Sequence, residues 1–142
     1  MKISYEYFVE DLAGEEDVSI IYFINKFVEK ENIKLFYPKN LFTDKKLKAH
    51  LFLDNQIFIF ENNQDLKIRV FNYDQVKNFE LITEGRYKPL NLNVFLSTGE
   101  TLEFNSVNDT NQHWGRSFSE EVEDIFKLLI QKTSASETIV KQ

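Results

Sequence analysis

Residues 90–104 read LNLNVFLSTGETLEF. Leu92, Val94 and Leu96 alternate with Asn91, Asn93 and Phe95. A polar break at Thr98-Gly99-Glu100 follows, and Leu102 and Phe104 then alternate with Thr101, Glu103 and Asn105. Alternation of period two sends successive side chains to opposite faces of a strand. A short break containing glycine joins two such strands into an antiparallel hairpin. The segment therefore predicts a hairpin with one dry face.

The same pattern extends upstream over residues 33–107. HLFLDNQIFIF, residues 50–60, holds two apolar runs parted by the turn Asp54-Asn55-Gln56. LKIRV, residues 66–70, alternates Leu66, Ile68 and Val70 against Lys67 and Arg69, and VKNFELI, residues 76–82, follows a polar break. Downstream, Phe118, Val122, Ile125, Phe126 and Leu129 recur at helical spacing. Ser117 with Glu120 fits a capping box at the start of that helix, and Glu120, Glu121, Glu123 and Asp124 are expected on its wet side. Beyond Lys132 the periodicity fades, which predicts a flexible tail over 133–142.

Residues 1–32 read as helical. Val18, Ile21 and Val28 form one stripe, and Ile20, Phe23, Ile24 and Phe27 an adjacent one. Glu15, Glu16 and Asp17 precede them, where the helix dipole favours negative charge. The run IIYFI is also compatible with a buried strand. A shorter helix through Tyr7, Phe8 and Leu12 is expected before Gly14.

The expected fold is α+β: a bent antiparallel sheet or open barrel over 33–132, capped by a C-terminal helix, with residues 1–32 packed on it as an added helical segment. The segments LFLDNQIFIFE, LKIRVFNYDQVKNFELI, LNVFLSTGETLEF and SFSEEVEDIFKLL together resemble pleckstrin-homology-like domains, particularly small bacterial and GRAM-type members. The matching pieces are Tyr73, Asp74 and Val76, then Gly99, then Phe118–Leu129, within residues 47–131. The resemblance implies the barrel and its capping helix. Many members of that superfamily bind phosphoinositides through basic residues around the first strand turn. The turn matched here, Asp54-Asn55-Gln56, carries no cation. A shared fold does not bring lipid specificity with it.

Composition narrows the chemistry. At 142 residues the chain suits one domain, and its 14 Phe, 6 Tyr and 1 Trp must mostly go inside. Without cysteine there is no disulfide, no thiolate nucleophile and no cysteine-ligated zinc or iron. A net charge of −6 disfavours nucleic acid as a partner. The start MKISYEYFVEDLAG lacks a signal-peptide apolar core, and Ile20–Ile24 is too short to span a bilayer, so the expected location is cytoplasmic. Gly14, Gly85, Gly99 and Gly115 are scattered and form no phosphate loop or nucleophile elbow. No enzyme, cofactor or metal site is expected.

Several features are weighed as candidate sites. NQHWGRSF, residues 111–118, gathers His113, Trp114, Gly115 and Arg116. It reads as a corner where sheet becomes helix, with Trp114 covering the open barrel end. PKNLFTDKKLK, residues 38–48, sets Lys39, Lys45, Lys46 and Lys48 against Asp44. Phe71, Tyr73 and Phe95 fall opposite the dry-face residues and are expected to point outward, covered by the N-terminal helix. His50 is expected as a partly exposed strand residue, and the acidic clusters 15–17 and 120–124 as solvated helix starts. The expected function is a noncatalytic interaction module that binds a protein or peptide partner, by strand addition along an open sheet edge, or associates with itself. The alternatives are a peripheral binder of anionic lipid through Lys45, Lys46 and Lys48, with a membrane surface the less favoured partner, and a small acidic inhibitor of a basic protein.

Overall fold

A computed structural model describes residues 2–141, with side chains over 2–133. The flexible tail expected over 133–142 lies, beyond Thr133, outside the described side chains. Ser4 starts the first helix: its hydroxyl accepts the Tyr7 N–H at 3.1 Å and caps α1 (Tyr5–Tyr7), which runs into a π-helical turn over Phe8–Leu12. The Asp17 carboxylate then accepts the Gly14 N–H at 2.9 Å, and α2 (Val18–Phe27) follows. α2 buries Ile20 and Ile24 but leaves Val18, Tyr22 and Phe27 exposed, so its apolar face is narrower than the sequence pattern predicts.

Seven strands form two antiparallel sheets. β1 (Leu35–Lys39), β2 (Lys48–Phe52), β3 (Gln56–Asn62) and β4 (Leu66–Asn72) make the first, in chain order. β5 (Val76–Ile82), β6 (Asn91–Leu96) and β7 (Thr101–Asn105) make the second. The hairpin read from residues 90–104 is β6–β7, with Leu92 opposite Phe104 and Val94 opposite Leu102. The sheets remain separate in hydrogen bonding, so no closed barrel forms. β1 is the strand the sequence pattern does not reveal. Pro38 interrupts its ladder donors, and a strand bearing proline belongs at a sheet edge.

The helix α3 (Gly115–Lys141) and the second sheet cover one face of the first. Tyr37 of β1 meets the Phe104 ring of β7 and the Phe118 ring of α3 edge-on, each at 5.1 Å, while Phe79 of β5 meets Phe126 of α3 at 5.6 Å. The N-terminal layer lies on the opposite face, where Tyr5 and Phe8 pack their rings on Phe36 at 5.4 and 5.2 Å.

This arrangement corrects the outward assignment of Phe71 and Tyr73, both of which are buried. In register, Phe71 lies opposite Ile57 and Val70 opposite Phe58. Phe71 thus belongs to the central core, whereas Val70, on the face that carries the N-terminal layer, is 45% exposed. Tyr73 donates its hydroxyl to the Leu53 carbonyl at 2.7 Å. The alternation in LKIRV is real, but at an edge strand it marks the thinly covered face. Phe95 does point outward, half-buried between Asn78 and Thr101 on the outer face of the second sheet. The N-terminal layer packs on the first sheet instead, so it does not explain the position of Phe95.

Candidate functional site

The turn after β7 is built from side-chain hydrogen bonds. Asn105 Oδ1 accepts the N–H groups of Val107 and Asn108, both at 2.9 Å. The Asp109 carboxylate accepts the Asn105 N–H at 2.8 Å and the Tyr37 hydroxyl at 2.6 Å. Asn111 Oδ1 then accepts the Trp114 N–H at 3.3 Å, capping the 3₁₀ turn Gln112–Trp114 from which α3 starts at Gly115. NQHWGRSF is therefore a corner, as its composition predicts. The cap is Asn111 and not Ser117, which is buried inside the first turns of α3. Trp114 is half-buried and does not fill the interior, a place taken by Phe104 and Phe118. It packs between Tyr7 at 6.3 Å and Phe42 at 5.8 Å.

Around this corner two aromatic residues are held out at positive φ. Phe42, on the β1–β2 loop, has φ +63° and is 44% exposed. Tyr87, on the β5–β6 loop, has φ +69° and is 83% exposed, with the Arg86 guanidinium 4.7 Å over its ring. Bulky side chains in the left-handed region are outliers, each costing roughly 1–2 kcal/mol. Such strain gathers at functional sites.

Between the β5–β6 loop and the first turns of α3 lies a cleft of about 790 Å³, lined among others by Leu81, Tyr87, Lys88, Val107, Arg116 and Glu123. β5 is an edge strand, and its inward residues Val76, Phe79 and Leu81 are only half-buried. An open backbone edge, incompletely covered apolar side chains and a mouth carrying both charges thus lie side by side.

The other sequence candidates are dispersed. Lys45 and Lys46 are exposed on the β1–β2 loop, whereas Lys48 faces Glu61 at 3.9 Å. Lys39 faces Asp109 at 3.8 Å and donates to the Glu103 carbonyl, and burial holds its pKa down. Arg116 lines the cleft and Trp114 adjoins it in sequence, while Phe71 and Tyr73 are core residues.

Several buried polar groups escape sequence reading. His50, expected partly exposed, is enclosed, with its ring 4.9 Å from Phe104, and burial pushes its pKa down to about 3. Glu121, expected on the wet side of α3, is 2% exposed and accepts the Ile3 N–H at 3.1 Å; burial pushes its pKa up to about 7. Asp17 and Asp109 are buried and raised by the same cause. No spacing distinguishes these four from their exposed neighbours. Among the described residues no group of three or more His, Cys, Asp or Glu side chains is placed to hold a metal, and no helix is long and apolar enough to cross a membrane.

Fold and cleft together define a small α+β protein: two antiparallel sheets, a helix packed across them, and an open edge beside that helix. The chain belongs to the family described as Protein of unknown function (DUF3908), whose model matches residues 1–120. The match takes in the N-terminal layer, all seven strands and the corner. No curated protein matches the chain.

Proposed function

We propose that this protein is a noncatalytic interaction module of pleckstrin-homology-like architecture, whose cleft between the β5–β6 loop and α3, at the end of the β5 edge, takes an extended segment of a protein partner. Four strands, then three, then a helix is the order that supports the architectural reading. The observation that carries the function is Tyr87, strained and almost fully exposed at the mouth of the cleft. A peptide laid along β5 would pair with its unshared backbone groups and send alternate side chains toward Leu81 and Phe79. Tyr87 would close over it as a rigid aromatic anchor, the kind of residue that dominates binding energy at interfaces.

The test is selection of peptides from a displayed library, with binding mapped by amide chemical shifts. The expected result is a selected peptide that perturbs β5 and the first turns of α3, with affinity lowered at least tenfold by Tyr87→Ala and by Arg116→Glu. Shifts confined to another surface, or no selected peptide, would overturn the reading.

One observation favours a second reading. Because β1 precedes β2, the first strand turn is 40–47 and not Asp54-Asn55-Gln56, and it presents exposed Phe42 beside Lys45 and Lys46. An apolar ring flanked by cations suits an anionic bilayer surface. Sedimentation with phosphatidylserine vesicles, weakened by salt and abolished by Lys45→Glu with Lys46→Glu, is the expected outcome. Equal recovery with neutral vesicles would exclude it.

A further inference from the structure

Residues 2–5 run across α3 near its start and are held there by three contacts. The Ile3 N–H donates to Glu121 Oε1, Lys2 Nζ sits 2.8 Å from Asp124 Oδ2, and the Ile3 side chain is fully buried. Beside them is an open pocket of about 250 Å³ between this segment and β1, lined by Ile33, Leu35, Phe36 and Glu121. The strap is thus one wall of a pocket, and a carboxyl group is shared between the wall and the interior.

We propose that residues 2–5 form a releasable strap over the pocket between β1 and α3, with Glu121 as the latch that loosens as pH rises. The groups facing the latch come from every neighbouring element. Lys2 lies on the strap, Glu120 and Asp124 on α3, and Tyr37 on β1, its hydroxyl held by Asp109; Glu6, Lys30 and Lys34 line the pocket. Glu120 and Asp124 oppose ionisation of Glu121, while Lys2 and the Ile3 N–H favour it, and burial outweighs all of them. The enclosed carboxyl therefore stays protonated up to about pH 7, whereas a hydrated one ionises near 4.5. Opening the strap hydrates the group. Between these two values the open form holds fewer protons, so rising pH shifts the balance toward release.

For a latch moving between those values, the opening constant rises about 70-fold from pH 5 to pH 8. Hydrogen exchange of the Ile3 amide in the full chain, corrected for intrinsic exchange, reads this directly, with β6 amides as the reference for global unfolding. The expected result is strong pH dependence at Ile3, unchanged protection in β6, and a flat profile at Ile3 in Glu121→Gln. A flat wild-type profile, or the same slope in the variant, overturns the proposal. Should the variant not fold, carbon-13 titration of the Glu121 carboxyl in the wild type decides. A midpoint near 7 supports the latch, and one between 4 and 5 refutes it.

Discussion

His50 and Glu121 are both enclosed, and their titrations pull stability in opposite directions. His50 has its pKa held at about 3 in the folded chain against 6.5 when unfolded. Between those values the unfolded chain binds the extra proton, so this contribution is present above pH 6.5 and lost as pH falls. Glu121 stands at about 7 folded against 4.5 unfolded. There the folded chain binds the extra proton, so this contribution is present below pH 4.5 and lost as pH rises. Each group alone changes folding free energy by about 2 kcal/mol between pH 7 and pH 5, with opposite sign. From these two groups alone the wild type is expected to change by less than about 1 kcal/mol over that interval.

Removing either group uncovers the other. His50→Gln should gain about 2 kcal/mol on going from pH 7 to pH 5, and Glu121→Gln should lose about 2 kcal/mol, each relative to its own stability at pH 7. Comparison within each variant cancels whatever packing the substitution disturbs. Asp17 and Asp109, whose folded pKa values are also raised, are common to all three proteins and drop out of the difference between the variants. Urea unfolding followed through Trp114, the sole tryptophan, supplies the measurement. With a urea dependence of about 2 kcal/mol per molar, the two midpoints should move apart by about 2 M. If both variants instead track the wild type, His50 and Glu121 are hydrated in solution and the burial argument fails.

Three further perturbations test separate parts of the structure. Tyr37→Phe removes the hydroxyl that Asp109 accepts inside the core and should cost about 1.5–3 kcal/mol by urea unfolding; a loss under about 0.5 kcal/mol would mean that Asp109 is satisfied without it. Asn111→Ala removes the cap on the turn that starts α3 and should cost about 1 kcal/mol, whereas Ser117→Ala should leave helix initiation unchanged. Tyr87→Gly relieves a left-handed backbone at the expense of chain entropy, for a net gain of about 0.5–1 kcal/mol in thermal or urea unfolding, while losing the peptide-binding response.

Legibility in the sequence followed periodicity. The β6–β7 hairpin and α3 were legible because one dry face imposes a period of two or of 3.6 on many consecutive residues. β1 was not, since five residues with a proline in fourth place carry too little pattern, and its absence misplaced the first strand turn. Face assignment failed at β4 for a related reason. Alternation reveals that two faces differ, but an edge strand lies between two partly covered faces, and only the register with β3 places Phe71 inside and Val70 outside. Burial of charge left no trace at all. Glu121 sits in a run of four acids within five residues, and nothing in that run marks the one whose carboxyl meets the Ile3 amide from 118 residues away.

The two strained aromatics support the proposed reading for a reason that stability alone does not supply. Asn or Gly would adopt the same backbone at lower cost, and Gly85, two residues before Tyr87, shows a glycine already used for positive φ in that loop. Tyr87 returns little to the fold: its ring is exposed and touches Arg86, itself exposed. Phe42 recovers part of its cost on Trp114, which ties the β1–β2 loop to the start of α3. The side chains that cost backbone strain without filling the core therefore flank one end of α3, Phe42 beside the corner and Tyr87 across the cleft from Arg116. On the reading proposed above, an extended partner chain laid along β5 would cover this surface while completing a sheet edge.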